Sequence, residues 1–130
     1  MITLEEKSDL ATKFITGLRT RDANLLRSIM LENLVWTLPG NSLISGAAEG
    51  IDAVIQRSQM IVDYGVNFNL KHILIGHTGV TLSLHNTARR GNLLFDEHLA
   101  TVLDLQNGKV SAINTYLSDV EMLNQFFIPF

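Results

Sequence analysis

The chain contains no cysteine. That excludes disulfides, thiolate metal knuckles and a thiol nucleophile, and it fits the reducing cytoplasm in which the protein is expected. An excess of basic charge is missing too. Ten Lys and Arg stand against 13 Asp and Glu, a formal net charge of −3. The clustered basic face of a nucleic-acid-binding protein is therefore not expected. No apolar run approaches the ~18 residues of a membrane-spanning helix. Met1-Ile2-Thr3-Leu4-Glu5-Glu6-Lys7 lacks the basic end and apolar core of a signal peptide, so no membrane partner is expected. Phosphate loops, dinucleotide fingerprints and the Gly-x-Ser-x-Gly elbow are all missing. The four histidines show no metal-ligand spacing. Neither a cofactor nor a metal is expected.

What is present is ordinary globular material. Hydrophobic residues make up 46% of 130 positions and charged residues 18%, which excludes intrinsic disorder and suits one domain spanning 1–130. There is no internal repeat, linker or low-complexity run.

The first half has helical periodicity. Thr3 and Glu6 have capping-box spacing, and Leu4, Ala11, Phe14, Ile15 and Leu18 share one face of a 3.6-residue period. Asp22 can cap a short second helix carrying Leu25, Leu26, Ile29 and Met30. Leu34 to Leu38 suggests a short strand stopped by Pro39-Gly40, and Asn41 to Gly50 suggests irregular chain. Ile51 to Tyr64 predicts a third helix, closed by Gly65.

The second half changes period. Phe68–Ile75, Val80–Ala88, Leu93–Leu105 and Val110–Leu117 predict four strands of an antiparallel meander. Asn107-Gly108 is a strong type I′ turn signal. Ser118 with Glu121 predicts a capped terminal helix through Phe126. The fold class is α+β. A sheet of this length with few helices curls and leaves a hollow against them, where small ligands bind.

Several local features carry a family resemblance: Asp22 with Leu25 and Leu26, Val35-Trp36-Thr37-Leu38-Pro39-Gly40, Gly46 through Gly50-Ile51-Asp52-Ala53-Val54, and His98 through Leu105 followed by Asn107-Gly108-Lys109-Val110 and Tyr116. The layout resembles the nuclear transport factor 2-like (cystatin-like) α+β cone, in particular its SnoaL-like branch. The resemblance implies a cone-shaped, curved antiparallel sheet whose concave face is covered by three N-terminal helices. It implies a small hydrophobic molecule as ligand and a homodimer packed through the sheet. It also implies cofactor-independent isomerase, cyclase or dehydratase chemistry on an oxygenated substrate, or a ligand-binding or dimerisation module without turnover. Ketosteroid-isomerase-like members place acids at positions that here are Leu38 and, on the long strand, near Ala100. Epoxide-hydrolase-like members place an Arg and an Asp where Ser83 and His85 stand.

His85 and His98 are the polar candidates. By alternation His85 shares a face with Thr81, Ser83 and Thr87, and His98 with Asp96 and Ala100. With both faces turned into the hollow, either imidazole could move a proton near neutral pH. The alternative is a solvated strand histidine. Asp96 could orient His98 or make an exposed ion pair with Arg89 or Arg90. In the register of the family, Asn114 and Tyr116 alternate inward, and Tyr116 could donate to a carbonyl or oxyanion, or be a core tyrosine with its hydroxyl at the rim. Trp36, Phe14, Leu18, Leu38, Met60 and Tyr64 are expected on the wall, although apolar stripes are also plain core. Val80, Leu82, Leu84, Leu99, Leu103 and Leu105 would then form an exposed apolar face for a second copy.

Overall fold

Thr3 opens the first helix as its spacing predicts. Its hydroxyl accepts from the Glu6 N–H at 3.1 Å, and the Glu6 carboxylate accepts from the Thr3 N–H at 3.0 Å. The structure is a computed structural model and describes residues 2–130. Helix α1 (Leu4–Thr20) buries Leu10, Ala11, Phe14, Ile15 and Leu18. Asp22 then caps α2 (Ala23–Ile29) by accepting from the Leu25 N–H at 3.0 Å. Strand β1 (Met30–Leu38) starts four residues before the expected Leu34, and Met30 belongs to it rather than to a helical stripe. The stretch expected to be irregular contains β2 (Gly46–Glu49), which pairs antiparallel with β1. Helix α3 (Ile51–Asp63) follows.

The second half gives β3 (Asn67–Ile75), β4 (Gly79–Arg90), β5 (Leu93–Gln106), β6 (Lys109–Leu117) and α4 (Val120–Phe126). Asn107 and Gly108 both have positive φ, 54° and 76°, as the type I′ turn between β5 and β6 requires. Gly79 sits where β4 meets β5 so closely that a Cβ would strike the Leu103 carbonyl. The cap of α4 is Asp119, not the expected Ser118. Its carboxylate accepts from the Met122 N–H at 3.0 Å, and Ser118 serves another partner described below.

The six strands form one curved sheet in the order β2-β1-β6-β5-β4-β3. All pairings are antiparallel except β1 with β6. The four strands predicted as an antiparallel meander, β3 to β6, pair as expected, and β1 joins them as a parallel neighbour of β6 through a long crossover. Helices α1 and α3 pack across the sheet from opposite ends, α1 against β3 and β4 and α3 against β1 and β2, while α4 packs on β5. Among the described residues, no helix is long and apolar enough to cross a membrane.

The two faces of the sheet are the reverse of those expected. Val80, Leu82, Leu84, Leu103 and Ile113 are buried in the core beneath the helices. An antiparallel sheet solvated on one side turns its apolar alternation inward and its polar alternation outward. The apolar face proposed for a second copy is thus consumed within the chain itself.

Candidate functional site

The hollow between helices and sheet is small. Its volume is about 40 Å³, room for a few water-sized spheres. Phe14 and Leu18 of α1, Trp36 and Leu38 of β1, and Leu84 and Leu99 of β4 and β5 are among the residues of its wall. These six are carbon surface apart from the Trp36 indole N–H, which donates to the Thr115 hydroxyl at 2.9 Å. Phe14 meets Trp36 edge-on, with ring centroids 6.4 Å apart. Trp36 is braced from behind by Arg57. That buried guanidinium donates to the Trp36 carbonyl at 2.7 Å and to the carbonyls of Ser45 and Gly46 at 3.2 and 3.1 Å. It also lies 5.4 Å from the Trp36 ring centroid. Burial lowers its pKa.

Leu123 of α4 and Phe127, just beyond α4, also line the cavity. They are held by a C-terminal clamp. Arg90 donates to the carbonyls of Phe126 and Ile128 at 2.7 and 3.1 Å. Its guanidinium lies 4.7 Å from the ring centroids of both Tyr64 and Phe130. The Tyr64 hydroxyl donates to the Ile128 carbonyl at 2.6 Å.

Two polar spots interrupt the carbon wall. One is Thr101 with Thr115, hydroxyls 3.4 Å apart; the other, four residues along the β4–β5 ladder, is Asn86, whose side-chain carbonyl is buried without a partner. Directly opposite Asn86 in the β4–β5 register is Glu97, 0% exposed. Its Oε1 accepts from the Ser118 hydroxyl at 2.9 Å and the Asp119 N–H at 3.0 Å, while Oε2 is buried with no partner. Burial pushes the Glu97 carboxyl above the ordinary glutamate range, although these hydrogen bonds pull the other way. Glu97 does not line the cavity itself. It sits on the same face between Phe95 and Leu99, which do.

The residues expected to carry chemistry lie on the other side of the sheet. His85, Asp96 and His98 are gathered there. His85 Nε2 is 2.6 Å from Asp96 Oδ1, and the two imidazoles stack with centroids 4.3 Å apart and planes 7° from parallel. Asp96 takes His85 as its partner rather than Arg89 or Arg90. Tyr116 is 65% exposed, opposite Ala100 in register, and Asn114 also points outward. None of these lines the cavity, so a shared point for His85, His98, Asp96 and Tyr116 inside it does not exist. The cause is one residue of alternation: residues adjacent in a strand face opposite ways, so placing His85 inward puts Leu84 and Asn86 outward. Among the expected wall residues, Trp36, Phe14, Leu18 and Leu38 line the cavity. Met60 only packs against the core, Tyr64 belongs to the C-terminal clamp, and Ala100 and Asn114 are outside.

No family model matches this chain, and no curated protein matches it. Solved structures do. Bal32a, from a soil-derived mobile gene cassette, is 24% identical and superposes with a TM-score of 0.87, covering 95% of this chain and 98% of that one. An NTF2-like protein from Burkholderia xenovorans LB400 is 18% identical with a TM-score of 0.84, covering 98% and 100%. The chain has the nuclear transport factor 2-like fold. A protein of Jannaschia sp. CCS1, provisionally described as a SnoaL-like polyketide cyclase, shares this NTF2-like architecture at 11% identity, with a TM-score of 0.73 over 100% and 99% of the two chains.

Within the NTF2-like cone of this chain, Asn86, Glu97, Thr101 and Thr115 are buried polar residues that sequence reasoning missed. A signal existed for Glu97. Phe95-x-Glu97-x-Leu99 places one carboxyl in an otherwise apolar alternation, a pattern that marks a buried acid once the apolar face is taken as the inner one.

Proposed function

We propose that this chain is a SnoaL-like small-molecule-binding protein whose interior cavity takes a compact hydrophobic molecule bearing one oxygen function. The observation that carries the reading is the composition of the wall: carbon on nearly every side, with the Thr101–Thr115 pair as one polar spot and Asn86 as another. Apolar lining with a few placed polar groups is what fixes a small ligand in orientation. The present volume of about 40 Å³ admits only a few heavy atoms. A larger ring enters by displacing Phe127 and Leu123. The reading is tested by titrating the protein with small ketones, alcohols and phenols and following amide and methyl NMR shifts. Perturbations centred on Leu84, Asn86 and Thr115 support it. No saturable shift at millimolar ligand, or shifts confined to the outer sheet face, would count against it.

Glu97 favours a second reading, an acid–base enzyme of the isomerase, cyclase or dehydratase type. A buried acid whose pKa is raised by burial, with a free oxygen on the cavity-facing side of β5, is the kind of group that gives or takes a proton. On this reading turnover disappears in Glu97→Gln while ligand binding persists.

The homodimer also belongs to this proposal, on new grounds. The outer face of β5 and β6 presents Ala100, Val102, Ala112 and exposed Tyr116, a patch of small apolar side chains and one tyrosine bordered by Asp104, which stands opposite Ala112. Light scattering of the wild type and Tyr116→Lys tests it. A monomeric wild type removes the dimer. A cytoplasmic location completes the reading and rests on the cysteine-free composition.

A further inference from the structure

The outer cluster of His85, Asp96 and His98 has no part in the cavity, yet it is too well arranged to be three scattered polar side chains. His85 and His98 face each other directly across the β4–β5 ladder, and Asp96 lies two residues before His98 on the same face. Two ligands at i and i+2 of one strand, with a third on the neighbouring strand, converge without any loop having to order itself. Sites built on strands hold their geometry better than sites built on loops. The backbone beneath is pinned. The His98 N–H donates to the Ser118 hydroxyl at 3.0 Å, the Ser118 N–H donates to the His98 carbonyl at 2.9 Å, and the Asp96 N–H points at Met122 Sδ at 3.1 Å.

We propose that His85, Asp96 and His98 bind one divalent transition-metal cation of the zinc, cobalt or nickel class. One donor atom from each residue already lies within 4.8 Å of the other two. Metal–nitrogen bonds of about 2.0–2.1 Å in a tetrahedral site put donors about 3.3 Å apart, so the three close by ~1.5 Å at most. Counter-rotation of the stacked rings supplies that movement. His85 is half-buried, and Asp96 and His98 are exposed, so both the rotation and the approach of the ion are open. Two imidazoles and one carboxylate select zinc, cobalt, nickel or ferrous iron over magnesium and calcium, which want all-oxygen shells. Three protein ligands leave a fourth position for water. The proposal is independent of the cavity reading, because the cluster is on the opposite side of the sheet.

The test uses the full chain, stripped with EDTA and dialysed, titrated with Zn²⁺ by calorimetry and with Co²⁺ by visible absorption. We expect one Zn²⁺ per chain at micromolar concentration, a raised melting temperature, and d–d bands of tetrahedral or five-coordinate Co²⁺. Loss of an outer-shell partner commonly weakens a metal site by about 10–100-fold, so His85→Ala or His98→Ala should cost at least about tenfold in affinity. His72→Ala combined with His77→Ala should change nothing, and neither Mg²⁺ nor Ca²⁺ should bind. Should an alanine variant fail to fold, His98→Gln keeps a polar side chain on this exposed face and serves in its place. The proposal is overturned by no Zn²⁺ binding at micromolar concentration, by binding that survives loss of His98, or by binding lost in the His72/His77 control.

Discussion

Glu97→Gln should stabilise the protein at neutral pH, which is unusual for a substitution at a fully buried position. Among the described residues of the wild type, two buried side-chain oxygens lack partners, Glu97 Oε2 and Asn86 Oδ1, on residues that face each other across β4 and β5. Each such orphan costs about 1–3 kcal/mol. A glutamine amide carries no charge at any pH and puts an N–H₂ donor opposite the Asn86 oxygen. The remaining Gln oxygen still accepts from Ser118 and Asp119, though these bonds weaken by ~1 kcal/mol when the acceptor is neutral. Taken at the low end of these figures, the net gain is about 1–2 kcal/mol. With an unfolding entropy of about 2.1 cal/mol/K per residue, a chain of 130 residues gains about 4 °C in Tm per kcal/mol, so the shift is about +4 to +7 °C. The sign of the pH dependence follows from the raised pKa. The folded protein holds the Glu97 proton more tightly than the unfolded chain does. Its contribution to stability is fully present below the ordinary glutamate value of about 4.3 and is lost as pH rises through the raised folded value. The gap between variant and wild type should therefore be small near pH 4 and widen toward neutrality. Urea and thermal unfolding of both proteins across this range measure it. A variant less stable than wild type at pH 7, or a gap that does not change with pH, would refute the account of Glu97 as a buried, poorly satisfied acid.

Phe127→Ala should lower stability by about 3–5 kcal/mol, as large core truncations do, and should widen the range of ligands seen by NMR, because it removes part of the cavity's wall. Arg90→Met should cost about 2–3 kcal/mol, the scale of losing charged hydrogen bonds to two carbonyls, and hydrogen exchange should speed up in α4 before it does elsewhere. Trp36→Phe keeps the ring but loses the bond to Thr115, so about 1 kcal/mol should be lost in denaturant unfolding. Removing either outer imidazole, in His85→Ala or His98→Ala, should leave the affinity of a cavity ligand unchanged, since neither lines the cavity.

Features set by neighbours in sequence were legible. The Thr3–Glu6 box, the Asp22 cap and the Asn107-Gly108 turn each need only three or four residues to specify them. Strand β2 was not legible, because Gly46-Ala47-Ala48-Glu49 has neither β-branched residues nor alternation and is held by backbone bonds to β1. The parallel pairing of β1 with β6 was hidden for a related reason: its partners are about eighty residues apart, as in Trp36 with Ile113. Alternation correctly separated Leu82 and Leu84 from Ser83 and His85. Which set faced the helices depended on tertiary packing, and there the resemblance to a family with catalytic residues in its cavity pointed the wrong way. Plain burial of the leucines would have pointed inward correctly, and would have carried Asn86 and Glu97 into view with them.

The fastening of the C-terminus at Arg90 has a kinetic consequence. A molecule that can reach the interior only after Phe127 swings aside must wait for that opening, however concentrated it is. Its observed association rate should level off at the opening rate, and its dissociation should be slow for its size. Weakening the Arg90 latch would then speed arrival and departure together, shortening occupancy times without a matching change at equilibrium.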